Sequence, residues 1–143
     1  MIVVIDTDVV LDVLLRREPV ADAAARLMSR AERGDFDGFV CATTVTNLYY
    51  LMAKAAGAAR VRREIKKLLS FLEVAPVTRT VVESALEDKH DNFEDGVISE
   101  AARNVGARAI ATRNIRTYKG SKVRAYLPAE IIEMLDAGGL PPE

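Results

Sequence analysis

The sequence predicts a three-layer α/β/α sandwich around a central, mainly parallel sheet of four to five strands, on three observations. Short apolar runs of β-branched residues, beginning with Ile2-Val3-Val4-Ile5, have the composition of strands buried on both faces. These runs alternate with stretches of helical period, and strands separated by helices pair in parallel. The chain has 143 residues, half of them apolar, enough for one continuous core without disulfides or a structural metal.

The first strand, residues 2–5, stops at Asp6-Thr7-Asp8, after which Val9, Val10, Val13 and Leu14 recur at helical spacing. A second helix follows Pro19 and ends near Arg33 at Gly34. Residues 38–41 form the second strand, and Thr43 or Thr44 can cap a third helix reaching Gly57 through Leu48, Leu51 and Met52. A basic fourth helix covers residues 59–71, and residues 74–77 make a short strand that Pro76 confines to an edge. Helices over residues 81–88 and 92–104 come next, the latter closed by Gly106. Strands at 109–111 and 122–126 follow, then a terminal helix opened by Pro128. Residues 1–137 are thus one domain, and 138–143, with two glycines and two prolines, a loose, flexible tail.

Composition narrows the function. One cysteine, Cys41, cannot form an internal bridge. The chain shows no basic leader and no apolar run of the roughly 20 residues a membrane span needs, so a cytoplasmic protein with no membrane attachment is expected. The net charge of −1 conceals an uneven layout. Residues 83–100 carry seven acids against Lys89, whereas residues 103–124 carry seven basic residues and no acid. That layout suits a metal-dependent enzyme gripping a polyanion, and equally suits two solvated faces.

In parallel α/β sheets ligands bind beyond the carboxyl ends of the strands. There stand Asp6, Thr7 and Asp8, then Thr43 and Thr44, then Thr112, Arg113 and Asn114. Asp6 or Asp8 could instead cap the following helix. Asp91 and Asp95 fall one helical turn apart, although Asp91 could be an N-cap completed by Glu94 in a capping box. Asp95 lies among the apolar Phe93, Val97 and Ile98. Were it to approach Asp6 to ~5 Å, their repulsion at an effective dielectric of 20 would be about 3 kcal/mol, calling for a proton or a cation between them. A hard ion with oxygen ligands, Mg²⁺ or Mn²⁺, suits carboxylates; one cysteine and one histidine exclude a zinc site. His90 is expected at the surface.

Three segments, in order, resemble the PIN domain family: Ile-Val-Val-Ile-Asp6-Thr7-Asp8-Val-Val-Leu-Asp12, Asp91-Asn-Phe-Glu94-Asp95-Gly-Val-Ile-Ser-Glu-Ala-Ala, and Ala-Ile-Ala-Thr112-Arg113-Asn114. Leu127-Pro128 before the last helix matches as well. The resemblance implies a metal-dependent endoribonuclease, commonly the toxin of a toxin–antitoxin pair, often a homodimer and held inactive by an antitoxin protein. It implies Asp6, Asp91 and Asp95 as the metal-binding carboxylates and Asn114 as a residue orienting the RNA substrate or a water. Arg113, Arg116 and Lys119 would meet RNA phosphates, and the helix bearing Leu48 would offer an apolar face to a partner. The chain departs from the family at Asn47, where a glutamate is usual, and at Thr117-Tyr118, where aspartate and phenylalanine are usual. Both changes remove an acid, which counts against a second ion about 4 Å from the first. Two alternatives follow: a PIN fold that binds RNA or a partner without cutting, and a haloacid-dehalogenase-like phosphatase, whose opening Asp6-Thr7-Asp8 also matches.

Overall fold

The computed structural model describes residues 1–140. Its strands are β1 (Ile2–Ile5), β2 (Asp37–Cys41), β3 (Glu73–Ala75), β4 (Ala109–Ala111) and β5 (Ala125–Tyr126). Its helices are α1 (Thr7–Leu14), α2 (Ala21–Glu32), α3 (Ala42–Ala56), α4 (Ala58–Leu69), α5 (Arg79–Glu87), α6 (Phe93–Asn104) and α7 (Pro128–Asp136), with a 3₁₀ turn at Ile115–Tyr118. The sheet has five strands in the order β3-β2-β1-β4-β5, and every pairing is parallel.

Strand alternation sorts the core into two layers. Val3, Ile5, Val40, Ala109 and Ala111 belong to one, with residues of α1 to α4 and α7; Val4, Cys41, Ala75 and Ile110 belong to the other, with α5 and α6. The three-layer expectation therefore holds. β3 is an edge strand, as expected, but it spans Glu73–Ala75 rather than residues 74–77 and stops before Pro76, which has no amide hydrogen to continue the ladder. β1 lies at the centre, and the chain builds outward from it through β2 and β3 before returning to its other side at β4. The crevice between the carboxyl ends of β1 and β4 is thus the switch point at which such sheets bind ligands.

Several local expectations are corrected. Neither Thr43 nor Thr44 caps α3: its N-cap is Cys41, without a side-chain cap, and the Thr44 hydroxyl instead meets that of Thr7 at 2.9 Å. The fifth strand shortens to Ala125–Tyr126 because the Ser121 hydroxyl accepts from the Val123 amide at 3.2 Å, a local turn that competes with extension. The His90 side chain is not at the surface; it is 6% exposed and packs against Gly96, where a Cβ would come within 3.1 Å of the imidazole ring. At the C-terminus Gly138 and Gly139 close α7 through hydrogen bonds to Leu135 and Met134, and Leu140 packs against the core. The rest of the expected tail, residues 141–143, lies outside the described residues.

Candidate active site

The β1–β4 register builds the site. Ile5 pairs with Ala111, and the Asp6 amide donates to the Ala111 carbonyl at 2.9 Å, so the next residue on each strand, Asp6 and Thr112, emerge side by side. Both are buried. Asp6 caps α1 by accepting from the Thr7 amide at 2.7 Å, and its other oxygen accepts from the Thr112 hydroxyl at 2.8 Å. Asp6 thus caps α1 while standing at the switch point of the sheet, so the cap does not take it away from the strand ends. The Thr112 hydroxyl also lies 3.4 Å from Asp8 Oδ2, but it has one proton and the shorter contact takes it.

Asp8 sits in the first turn of α1, where Oδ2 accepts from the Arg113 amide at 3.2 Å. Its Oδ1 is buried without a partner. Such an orphaned anionic oxygen is costly unless something occupies its lone pairs. Burial raises the Asp8 carboxyl above its usual range, against the lowering effect of Arg113. Asp6 is pushed up to about 7, chiefly by burial, then by the charge of Asp8 and, more weakly, of Asp95. The carboxylates acting on Asp6 are therefore Asp8 and Asp95.

Asp95 belongs to the first turn of α6, whose N-cap, Asn92, accepts from the Asp95 amide at 3.2 Å. The N-cap is thus neither Asp91 nor part of a box with Glu94. Asp91 precedes the cap, exposed and off the helix, so it does not share a helical face with Asp95. Asp95 Oδ1 is instead approached at 3.4 Å by the hydroxyl of Tyr118. Burial and then the charges of Asp6 and Asp95 push the Tyr118 phenol far above its ordinary range, so it remains a neutral donor. The rest of the acidic run is spent elsewhere. Glu94 accepts from Asn47 at 2.6 Å, tying α6 to α3. Asp88 and Glu100 share a hydrogen bond, and that bond, with burial, raises the Glu100 carboxyl.

Arg113 has a different place from the one its position suggests. Its guanidinium grips Asp12 through Nε and, at 3.1 Å, through Nη2, and Asp12 is 1% exposed. Arg17 adds a longer contact at 3.8 Å. Arg113 thereby clamps the loop after β4 onto α1. Arg116 on the 3₁₀ turn, Lys119 just after it and Asn114 just before it are exposed.

A family model described as PIN domain matches residues 2–116, most of the chain. The chain belongs to the PIN domain family. Among solved structures, the PIN domain resembles VapBC2 from Rickettsia felis bound to a promoter DNA fragment (TM-score 0.69, 15% identity, 89% of this chain and 98% of that one). It also resembles FitAcB from Neisseria gonorrhoeae (TM-score 0.68, 19% identity, 89% and 98%). A third similar structure is VapC20 from Mycobacterium tuberculosis, described as a Sarcin-Ricin loop cleaving toxin (TM-score 0.67, 15% identity, 82% and 94%). At these identities the likeness establishes the fold alone. No curated protein sequence matches the chain.

Three residues around the candidate site of this PIN domain carry no role in the sequence alone. Thr112 and Asp12 stand inside the quoted segments, and their positions, one step beyond a strand and on the helix that follows β1, are the only sequence signal for the burial the structure shows. Tyr118 entered only as a departure from the family pattern, because nothing in the spacing shows the turn folding back onto α6.

Proposed function

We propose that this PIN domain is an endoribonuclease that works with one hard divalent cation, Mg²⁺ or Mn²⁺, held by the pair Asp6 and Asp95, with the free oxygen of Asp8 beside them. The observation that carries this reading is the meeting of Asp6, Asp8 and Asp95 at the switch point, with Asp8 Oδ1 buried and unpartnered. Among the described residues no group of three or more histidine, cysteine, aspartate or glutamate side chains is placed to hold a metal ion. An ion at this place would therefore take one or two carboxylates and complete its shell with waters and substrate phosphate oxygens, the coordination habit of Mg²⁺. Asp91, exposed at the approach to α6, adds negative charge near the mouth rather than a ligand to this pair.

When bound, the ion supplies a Lewis acid that activates water and neutralises the departing oxygen. The protein's own residues set the stage. Thr112 holds one oxygen of Asp6, and the Arg113 amide fixes Asp8. Asn114 orients the substrate from the rim, while Arg116 and Lys119 receive its phosphates. Arg113, spent on Asp12, gives position rather than phosphate contact.

Similar structures described as a Sarcin-Ricin loop cleaving toxin and as a toxin–antitoxin complex from Klebsiella pneumoniae support assigning this chain the toxin role beside an antitoxin; the same reading takes it as a homodimer in the cytoplasm, as the sequence leads one to expect. On α3, Leu48 and Met52 serve the core, whereas Tyr50 and Leu51 are 69% and 57% exposed and offer apolar area to a partner. A non-cutting PIN fold is the second reading, favoured by the missing acid at Asn47. Incubating a structured RNA with the protein in Mn²⁺ decides between them. Cleavage that vanishes with a chelator and in Asp6→Ala supports the nuclease, whereas RNA binding without cleavage supports the second reading.

A further inference from the structure

Tyr118 ends the 3₁₀ turn with its ring in the core layer shared by α5 and α6, among aliphatic side chains. It is 4% exposed. An aliphatic or phenyl group would fill that volume as well, and a buried hydroxyl is costly unless it finds a partner. The hydroxyl lies 3.4 Å from Asp95 Oδ1, with Asp6 beside it as a second acceptor and the stronger charge, so it sits between the two carboxylates. The turn is secured without that contact: the Ser121 amide donates to the Tyr118 carbonyl at 2.9 Å, and the Ser121 hydroxyl bonds to Ser99 on α6. The hydroxyl can therefore be removed without releasing the turn.

We infer that Tyr118 is a positioning residue of the acidic centre, its hydroxyl holding one oxygen of Asp95 so that the other faces a cation shared with Asp6. This inference rests on the metal-dependent reading above. A phenol suits the task because it donates without adding charge to a group of carboxylates. Donors behind ligating carboxylates fix the orientation of the ligand, and their loss typically weakens metal binding 10–100-fold. The 3.4 Å distance is long for an O–H···O bond and leaves room for tightening as the carboxylates are drawn in.

The test is titration calorimetry with Mg²⁺ and Mn²⁺ on wild type and Tyr118→Phe. The expected result is a roughly 10–100-fold weaker Kd in the variant, with its circular dichroism unchanged. Equal or tighter binding by a folded variant overturns the Tyr118 assignment while leaving the metal reading intact. Failure of the wild type to bind either ion overturns both. Should Tyr118→Phe not fold, a variant carrying Tyr49→Phe, Tyr50→Phe and Tyr126→Phe leaves Tyr118 as the sole tyrosine in a chain without tryptophan. Its near-ultraviolet difference spectrum on addition of Mg²⁺ should then shift with the calorimetric half-saturation, and an unchanged spectrum at saturation overturns the inference.

Discussion

Arg113 and its two basic neighbours look alike in sequence and differ in what they can do. Arg113 neutralises the buried Asp12, and removing it leaves that carboxylate only the 3.8 Å contact with Arg17. Arg113→Ala should therefore cost about 3 kcal/mol of stability, read as a lowered urea midpoint. Its salt dependence of RNA binding should stay unchanged. Arg116→Ala and Lys119→Ala should do the reverse, leaving stability alone and each flattening the salt slope by about 0.7, the value for one phosphate on a single strand. A flattened slope in folded Arg113→Ala would return that side chain to the RNA. Asp6 gives a second test at this scale. Its folded-state value of about 7 lies above the usual 3.8, so between those limits the folded protein binds more protons than the unfolded chain. Stability of the metal-free protein consequently falls as pH rises through that window, by up to about 1.4 kcal/mol per pH unit from this group, and levels off above it. Asp6→Asn lacks this contribution. Denaturant melts in chelator from pH 4 to 8 should show wild type losing ground to the variant until about pH 7, and parallel curves would refute the assignment.

At the scale of elements, the site depends on one register. Because Ile5 pairs with Ala111, Asp6 and Thr112 meet; a slip by one residue would turn Thr112 to the other face. Thr112→Val keeps the shape of this buried side chain and deletes its donor. The loss should be about 1.5–3 kcal/mol at pH 8, where Asp6 is ionised, and smaller at pH 5, where it carries its own proton. An equal loss at both values would mean that packing, not the hydrogen bond, is what Thr112 supplies. The elements themselves were largely legible in the sequence. Apolar runs such as Ile2 to Ile5 and the glycine at 34 mark strand and helix limits by local chemistry. What lay hidden depends on chain return. His90 reads as a surface residue because only the close approach of α6 at Gly96 covers it. Tyr118 reads as a substitution because only the 3₁₀ turn brings it beside Asp95. Asp91 and Asp95 read as neighbours on one helical face because their spacing assumes a helix that Asn92 has not yet begun.

For the whole molecule, the acidic centre trades stability for an ion site. Without a cation, Asp6 is held near Asp8 and Asp95 in a setting that disfavours its charge, and the folded state bears that cost while the unfolded chain does not. Asp95→Asn removes one of these charges yet keeps an oxygen that can accept from Tyr118. In chelator at pH 8, where Asp6 is ionised, the variant should therefore unfold at a higher temperature than wild type. Adding Mn²⁺ should reverse the order. An ion that binds only the folded form contributes about 2.7 kcal/mol at 100 times its Kd, roughly 5–10 °C for a domain of this size. The variant, short of a ligand, should gain little of that shift and should lose RNA cleavage. Differential scanning calorimetry of both proteins with and without Mn²⁺ measures this reversal directly. A wild-type transition indifferent to the ion, together with an Asp95→Asn variant less stable in chelator, would mean that these carboxylates cap helices and bind hydroxyls without forming a metal centre.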